Sequence, residues 1–201
     1  MRIFLAGASG VLGTRLVPLL IAAGHQVAGM TRSPDKARLL AAAGAEPVVC
    51  DAFDADALTA AVVAYAPDLV MHQLTDLPDD PAKLPEGREA NARIRREGTA
   101  NLLAAAAAAG KARVLAQSVA WEMTGAGQDA KEFLESAVLA AGGVVLRYGQ
   151  FFGPGTYYTD EPPQSPRIHL DEAARRTARA LEFASGVYRV VDDTEADFEA
   201  I

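Results

Sequence analysis

Short apolar runs alternate along this chain with longer segments in which apolar residues recur every three or four positions. The short runs have the length and composition of buried strands, and the longer segments have the spacing of amphipathic helices. The predicted strands are residues 3–6, 26–30, 47–50, 68–71, 113–116 and 187–191, with one more just before Leu146. The predicted helices are residues 12–23, 35–43, 55–64, 86–109 and 171–183.

This alternation of strand and helix predicts an α/β fold. Parallel strands need a long crossover connection, and a helix between successive strands supplies it. Glycines mark helix ends at Gly24, Gly44 and Gly110, where a positive φ is tolerated at little cost. We therefore expect a parallel sheet covered by helices.

The first predicted strand leads directly into a glycine turn with the spacing Gly-x-x-Gly-x-x-Gly. Glycines there let the backbone turn tightly and approach a pyrophosphate, while the following helix presents unpaired amides and the positive end of its dipole. The alternative is a tight strand-to-helix turn that binds nothing. The residues predicted to form a phosphate cradle are Gly7, Ser9, Gly10, Val11, Leu12 and Gly13.

Composition narrows the class of protein. The 201 residues, half of them hydrophobic, are enough for one core and predict a single domain. A net charge of −7 argues against nucleic acid and anionic membranes as partners. One cysteine, Cys50, and three scattered histidines exclude a disulfide framework and a zinc site. The N-terminus shows no secretory signal, so we expect a cytoplasmic protein.

Polar residues follow the later strands where an open parallel sheet binds its ligands. The second strand ends in Thr31-Arg32-Ser33 instead of an acidic residue, which suits a 2′-phosphate and favours NADP over NAD. Asp51, followed by Ala52, is placed to bind the adenine amino group or to cap its own turn. After the fourth strand, His72 is expected to pack or to make one hydrogen bond. Gln73 and Leu74 are expected to lie along the cofactor.

Several motifs in this order resemble the extended and atypical short-chain dehydrogenase/reductases, the NAD-dependent epimerase/dehydratase group. The resemblance covers nearly the whole chain and implies a Rossmann-type doubly wound sheet that binds NAD(P). It also implies a serine or threonine with a Tyr-x-x-x-Lys pair, in which the tyrosine passes a proton and the lysine holds the nicotinamide ribose. The motifs are Gly7-x-x-Gly10-x-x-Gly13, Arg32, Asp51-Ala52, Glu97-Gly98-Thr99-x-Asn101-Leu102-Leu103 and the segment 146–155, LRYGQFFGPG.

The chain departs from this pattern at the catalytic residues. Lys131 matches the family lysine, yet the residue four positions earlier is Gly127 instead of tyrosine. The catalytic hydroxyl position falls on Ser118 or on Val119, depending on a one-residue choice of register. Tyr148 is the leading substitute phenol, with packing as the alternative. Glu122 and Tyr157 are weaker candidates.

The C-terminal part is short. Only residues 156–166 separate the Gly-Pro-Gly loop from the segment at 167–174, where the family builds most of its substrate-binding region. We expect a cofactor-binding core over about 1–150 and a remnant of the substrate lobe over about 151–201. An alanine run near residues 100–109, too short to span a bilayer, favours close helix packing within the chain or across a homodimer.

Two functions remain open on the sequence. One is an NADP-dependent oxidoreductase or epimerase/dehydratase-like enzyme acting on a small carbonyl or hydroxyl substrate. In it Lys131 holds the nicotinamide ribose, and Ser118 or Tyr148 polarises the carbonyl. The other is a nucleotide sensor or partner-binding subunit that binds NADP without redox catalysis, which the missing tyrosine would permit.

Overall fold

A mostly parallel sheet of eight strands forms the centre of the molecule, in a computed structural model that describes residues 1–110, 112–192 and 198–201. The strand order is β3-β2-β1-β4-β5-β6-β9-β10, and β10 alone is antiparallel to its neighbour. The first six strands have the 3-2-1-4-5-6 order of a Rossmann-type doubly wound sheet, which confirms the predicted fold class. The strands of this sheet are β1 (Arg2–Ala6), β2 (Gln26–Thr31), β3 (Glu46–Val49), β4 (Leu69–His72), β5 (Arg113–Val119), β6 (Val144–Tyr148), β9 (Gly186–Val190) and β10 (Glu199–Ala200).

Helices cover both faces of the sheet. One core cluster joins β1 and β6 to α1, α2 and α7, and a second joins the opposite face of the same strands to α3, α5 and α6. The two short strands β7 (Gln150–Phe152) and β8 (Arg167–His169) form a separate parallel pair. The helices are α1 (Gly13–Ala22), α2 (Pro34–Ala42), α3 (Ala55–Tyr65), α4 (Arg88–Arg93), α5 (Thr99–Ala108), α6 (Ala126–Ala140) and α7 (Leu170–Arg179).

The apolar runs form strands because both faces of the sheet are buried. Ile3 and Leu5 of β1 are fully buried in the first core cluster, and Phe4 and Ala6 are fully buried in the second. Alternate side chains of a strand point to opposite faces, so a sheet covered on both sides needs a continuous apolar run. The carboxyl edge of these strands is left for polar residues.

Two predicted elements differ from the structure in ways that affect the site. β5 extends to Val119 instead of ending at 116, so Ser118 lies inside the strand. The single helix predicted over 86–109 is interrupted by a π-helical segment, Ile94–Gly98, between α4 and α5. A Cβ on Gly98 would lie 2.9 Å from Ile94 Cδ1, so Ile94 packs closely over the glycine that ends this segment.

The C-terminal residues complete the sheet and one of its faces. β9 pairs in parallel with β6, and α7 packs on the core cluster that also contains α1. Within the alanine run, Ala105 and Ala106 are buried in the second core cluster, so this face of α5 packs inside the chain. No helix among the described residues is both long and apolar enough to cross a bilayer.

Candidate active site

The glycine turn after β1 is packed so tightly that two of its three glycines leave no room for a side chain. A Cβ on Gly7, whose φ is +91°, would lie 2.4 Å from the carbonyl oxygen of Gln73. A Cβ on Gly13 would lie 2.2 Å from the carbonyl oxygen of Gly7. Gly10 is exposed, and its Cβ would meet this same Gly7 oxygen at 3.3 Å. Gly10 therefore keeps the outer surface of the turn open.

Helix α1 begins at this turn without a side-chain cap from any described residue. Leu12 occupies the N-cap position, and the first helical turn contains no acidic residue. The amide groups at such a helix start carry a partial positive charge and attract an anion. The hydroxyls of Ser9 and Thr31 lie 2.8 Å apart and join the turn to the end of β2. These features together fit a bound phosphate group.

Arg32 lies beyond β2 with its side chain 58% exposed. Its Nη2 is 3.1 Å from Asp76 Oδ1, in the loop that follows β4. The hydroxyls on either side of it have structural roles, since Ser33 caps α2 and Thr31 accepts a hydrogen bond from the Ser33 amide. Arg32 is thus the residue of the Thr31-Arg32-Ser33 triplet that remains suited to a ligand.

Asp51 lies exposed after β3 and caps its own turn. Its Oδ1 accepts a hydrogen bond from the Phe53 amide at 2.9 Å. The Ala52 carbonyl accepts one from Asn101 Nδ2 at 2.8 Å, which fixes this turn against α5. The Arg93 guanidinium lies 4.0 Å from the centroid of the Phe53 ring. Asp51 therefore caps its own turn, as one of the two alternatives predicted. It does so at the carboxyl edge of the sheet, where adenine binding was the other alternative.

Gln73 is the clearest unsatisfied polar group near the glycine turn. It is buried, and neither its Oε1 nor its Nε2 makes a hydrogen bond of good geometry with a described residue, although the Tyr148 hydroxyl lies close enough to interact with its side chain. The next residue, Leu74, has its carbonyl bonded to Gln117 Nε2 at 3.2 Å. A buried primary amide with incomplete hydrogen bonding is costly, so this amide has capacity left to bind a ligand or a water molecule.

His72 is buried at the end of β4 and makes two hydrogen bonds. Its Nδ1 accepts from the Leu74 amide at 3.3 Å, so Nε2 bears the proton and donates to Thr99 Oγ1 at 2.9 Å. Burial, followed by the charge of Arg95, lowers the pKa of His72 to about 4. The imidazole is therefore neutral near pH 7 and has a packing role.

Ser118 is part of a buried ionic cluster. Its hydroxyl donates to Glu135 Oε1 at 2.5 Å, and Arg147 Nε donates to the same oxygen at 2.9 Å. Burial alone would raise the pKa of Glu135, but the hydrogen bonds from Arg147 and Ser118 outweigh it and hold this pKa below its usual range. The Ser118 proton is thus directed at a carboxylate of the protein.

Lys131 lies on α6 with its side chain 3% exposed. Its Nζ donates to the Trp121 carbonyl at 3.0 Å and lies 3.8 Å from a carboxylate oxygen of Glu122, whose side chain is mostly exposed. One turn earlier, a Cβ on Gly127 would lie 3.0 Å from Met123 Cε. Met123 therefore occupies the space beside the position where a tyrosine was expected.

Arg95, on the π-helical segment, is a residue of this site that the sequence did not single out. It is buried, and its Nη1 lies 2.7 Å from Met123 Sδ. Burial lowers the pKa of Arg95, and the charge of Glu135 partly opposes that shift. Arg95 is one of several arginines in a segment predicted as a single helix, and nothing in the sequence indicates which of them is buried. Sequence reasoning therefore could not have identified it.

Tyr148 points to the opposite face of the sheet from Ser118 and Lys131. Its hydroxyl lies 2.6 Å from Thr177 Oγ1 on α7, and Thr177 in turn donates to the Ala173 carbonyl. Burial raises the pKa of Tyr148 far above its ordinary value. The structure does not bring these three predicted catalytic residues together.

The two weaker candidates lie at exposed positions of the chain, and Glu122 is the one that lies near Lys131. The Tyr157 hydroxyl donates to the Pro78 carbonyl, and Glu122 extends into solvent. The described residues contain no group of three His, Cys, Asp or Glu side chains that could hold a metal ion.

The sequence matches the NAD dependent epimerase/dehydratase family over residues 3–142. The chain belongs to this family. A relative from a Streptomyces species, named 3-diazoavenalumate denitrifying reductase, is 35% identical over 242 aligned positions that cover 98% of this chain and 77% of that protein. The alignment is longer than the chain, so the relative has additional residues within the matched region.

Solved structures of other epimerase/dehydratase proteins share the fold. The UDP-glucose 4-epimerase of Thermus thermophilus, complexed with NAD, superposes with a TM-score of 0.78 at 18% identity, covering 100% of this chain and 79% of that one. An NAD-dependent epimerase/dehydratase of Bacillus halodurans, described as putative, gives 0.73 at 17% identity, covering 94% and 92%. At these identities the similarity establishes the fold alone.

The residues of this epimerase/dehydratase-family chain fit the dinucleotide that the family binds. The turn at Gly7 and Gly13 is closed to side chains, Gly10 leaves its surface open, and no described side chain caps the helix start that follows. The departure lies at Gly127, where Met123 fills the neighbouring space. The chain therefore keeps residues that fit a dinucleotide, although it lacks the tyrosine that passes a proton in the family pattern.

Proposed function

We propose that this protein is a single-domain NADP-dependent oxidoreductase of the short-chain dehydrogenase/reductase type that acts on a small carbonyl or hydroxyl substrate. The observation that carries the proposal is the open glycine turn at a helix start that no described side chain caps. The name of the Streptomyces relative, a reductase, supports redox chemistry over epimerisation. A cytoplasmic location and action as a homodimer remain expectations from the sequence.

Each cofactor contact is assigned by its place along the carboxyl edge. The amides of Val11, Leu12 and Gly13 would bind the pyrophosphate, with Ser9 and Gly10 beside them. Asp51 and Ala52 lie at the adenine end, and Gln73 and Leu74 lie between the phosphates and the nicotinamide. Lys131, on α6, would hold the nicotinamide ribose.

NADP is favoured over NAD because of Arg32. Its guanidinium is largely exposed and is paired only with Asp76 among the described residues. A 2′-phosphate offers more charge and more acceptor oxygens than that carboxylate, so it can displace Asp76 from Arg32. An NAD-selective site would place an acidic residue here.

Bound NADPH would supply a hydride to the substrate carbon. The chain must then orient the substrate and hold a proton near its oxygen. Lys131 uses one of its three N–H donors on Trp121 and keeps the others for the ribose and the substrate. Ser118 is the candidate for polarising the carbonyl and would first have to leave Glu135, whereas Tyr148 lies on the other face of the sheet, where it is paired with Thr177.

One observation favours a second function, that of a sensor or partner-binding subunit that binds NADP without turnover. Position 127 lacks a phenol, and Met123 fills the adjacent space. An enzyme that lost its proton donor could keep the dinucleotide site intact. Fold alone does not decide between the two functions.

Binding and turnover measured separately test the proposal. NADPH and NADH are titrated by Trp121 fluorescence, and NADPH oxidation is followed with a panel of aldehydes, ketones and diazo compounds. We expect NADPH to bind more tightly than NADH and at least one compound to be reduced. Lys131→Ala should lower turnover, whereas Tyr148→Phe tests whether its buried phenol contributes. Tight NADPH binding without turnover on any compound would favour the sensor.

The assignment of Arg32 has its own variant. Arg32→Ala should weaken NADPH binding by roughly tenfold or more and leave NADH binding unchanged, since a hydrogen bond to a charged group is lost. The matched control is Arg38→Ala, which removes an exposed arginine of α2 paired with Asp35. Equal effects on both cofactors would refute the role of Arg32.

A further inference from the structure

The π-helical segment and the residue before it contain three arginines, Arg93, Arg95 and Arg96, and only Arg95 lacks an acidic partner among the described residues. Arg93 pairs with Glu97 at 2.9 Å, and Arg96 pairs with Glu89 at 3.2 Å. Arg95 has no carboxylate within ion-pair distance among the described residues, although it is the only buried one of the three. Its one described hydrogen-bond partner is the thioether of Met123.

This arrangement is costly for the folded protein. A thioether is a weak acceptor, and a buried guanidinium without a counter-ion loses much of its hydration without compensation. The nearby buried carboxylate, Glu135, is already bonded to Arg147 and Ser118. Lys131 adds a second buried cation near Glu135, and the one carboxylate within ion-pair distance of it among the described residues, Glu122, is 82% exposed. The buried residues around Met123 therefore have an excess of positive charge.

The same residues lie beside the proposed catalytic position. Met123 is in the loop that follows β5, between Gly127 on one side and Arg95 on the other. Met123 is half-buried, while its neighbours Glu122 and Thr124 are exposed. The side chain that covers the Arg95 guanidinium is thus unbranched and flexible, and it belongs to a half-buried residue of a loop. π-helical turns, such as the one that bears Arg95, are frequent at functional sites.

We propose that Arg95 binds an oxyanion of the substrate, a carboxylate or a phosphate, and that Met123 covers the guanidinium when the substrate is absent. The planar guanidinium matches such groups with paired N–H donors, and the low polarity of the site strengthens the interaction. The inference rests on the proposed function, because it gives the substrate class of that site. The substrate is therefore an anion, held by one end at Arg95 with its reacting carbon toward Lys131.

Binding of simple anions tests the inference without knowledge of the substrate. Benzoate, its neutral analogue benzamide, and inorganic phosphate are titrated by calorimetry into the protein with and without saturating NADPH. We expect benzoate or phosphate to bind, benzamide not to bind, and Arg95→Met to lose the anion by at least about tenfold. Which anion binds tells a carboxylate substrate from a phosphorylated one. Arg96→Met, from the same segment, is the control and should bind as the wild type does.

Stability distinguishes an anion-binding residue from a structural one. Without anion, Arg95→Met should melt at the same temperature as the wild type or higher, since it removes an unpaired buried charge. Added benzoate or phosphate should raise the melting temperature of the wild type and not that of Arg95→Met. Met123→Ala should bind the anion more tightly, and this variant tests the inference even if Arg95→Met fails to fold.

The outcomes separate this inference from the proposed function. NADPH binding with no anion bound by the wild type, or with equal anion binding by Arg95→Met, overturns the role of Arg95 alone. Anion binding that depends on Arg95, in a protein that binds no NADPH, overturns the proposed function alone. Tighter anion binding by Met123→Ala supports the covering role, and weaker binding contradicts it.

Discussion

Arg147 and Arg95 are basic residues near the same carboxylate, and they contribute oppositely to stability. Arg147 makes two hydrogen bonds to Glu135, of 2.9 and 2.5 Å, whereas Arg95 makes none to a carboxylate in the described part of the chain. Removing one partner of a buried pair leaves the other charge uncompensated. The positive charge of Arg147 therefore stabilises the fold, while that of Arg95 has to be explained by binding.

Arg147→Met should lower the free energy of unfolding by about 2 to 4 kcal/mol, because the Glu135 carboxylate loses its charged partner inside the protein. Urea unfolding followed by far-UV circular dichroism measures it. Arg38→Met, at an exposed ion pair, should change stability by less than about 0.5 kcal/mol. A similarly small effect at Arg147 would show that Glu135 is not held as an ion.

His72 makes the stability of the protein depend on pH. Its folded-state pKa is about 4, whereas a histidine in the unfolded chain titrates near 6.5. As the pH falls below 6.5 the unfolded state takes up the proton first, so stability decreases until about pH 4. The contribution that is present above 6.5 and lost at pH 4 amounts to about 3 kcal/mol.

A His72→Gln variant isolates this effect, because glutamine does not titrate. The variant should be less stable than the wild type at pH 7, and the difference should shrink by about 3 kcal/mol at pH 4 as the wild type loses the contribution of its neutral imidazole. Denaturant unfolding at several pH values measures both proteins. A difference that stays constant over this range would mean that His72 titrates normally in the folded state.

Residue identity alone could predict some members of this site and not others. The lack of a tyrosine at Gly127 is visible in the sequence, because it follows from spacing to Lys131. The burial of Arg95 and the position of Met123 beside it depend on contacts between α6, the loop after β5 and the π-helical segment. Such long-range contacts leave no pattern in a single sequence.

At the scale of elements, alanine substitutions in the glycine turn test whether each glycine is needed for folding or for ligand binding. Gly13→Ala should disrupt folding, because its Cβ would lie 2.2 Å from a backbone oxygen. Gly10→Ala should lose much less stability than Gly13→Ala, since its Cβ would lie 3.3 Å from the Gly7 oxygen instead of 2.2 Å, and should weaken NADPH binding at least about tenfold. Thermal unfolding and NADPH titration measure the two properties. Normal NADPH binding by Gly10→Ala would place the pyrophosphate elsewhere.

Helices and strands could be predicted from the sequence where a local pattern of residues was enough to determine them. The first strand and the first helix follow from an apolar run, a glycine turn and helical spacing, and their predicted bounds agree closely with the structure. The extension of β5 to Val119 and the pair β7–β8 depend on strands distant in sequence. Pairing of this kind is set by tertiary packing, which overrides local preference.

At the scale of the whole molecule, the C-terminal residues are part of one packed structure. β9 extends the sheet beside β6, and the Arg113 guanidinium binds the Leu181 carbonyl at 3.1 Å. Arg15 of α1 donates to the Pro154 carbonyl at 2.6 Å and lies 3.3 Å from Asp171. We therefore expect the two parts on either side of about residue 150 to unfold together.

Thr177→Val tests this cooperativity, because it removes a hydroxyl of α7 that is buried against β6. The loss of its bonds to Tyr148 and the Ala173 carbonyl should lower the free energy of unfolding by about 1 to 3 kcal/mol. Trp121 fluorescence reports on the loop after β5, and far-UV circular dichroism reports on the whole chain. Both should shift to the same lower denaturant concentration, as expected for a two-state domain.

A control for the same contact is the double variant Thr177→Val with Tyr148→Phe, which should cost less than the sum of the two single variants because their hydroxyls bond to each other. Separate fluorescence and dichroism midpoints in Thr177→Val would mean instead that residues 151–201 unfold on their own. In that case the short C-terminal part would be an appendage to the cofactor-binding core. Coincident midpoints would show that β9 and α7 unfold together with the rest of the Rossmann sheet, including β1, which leads into the glycine turn.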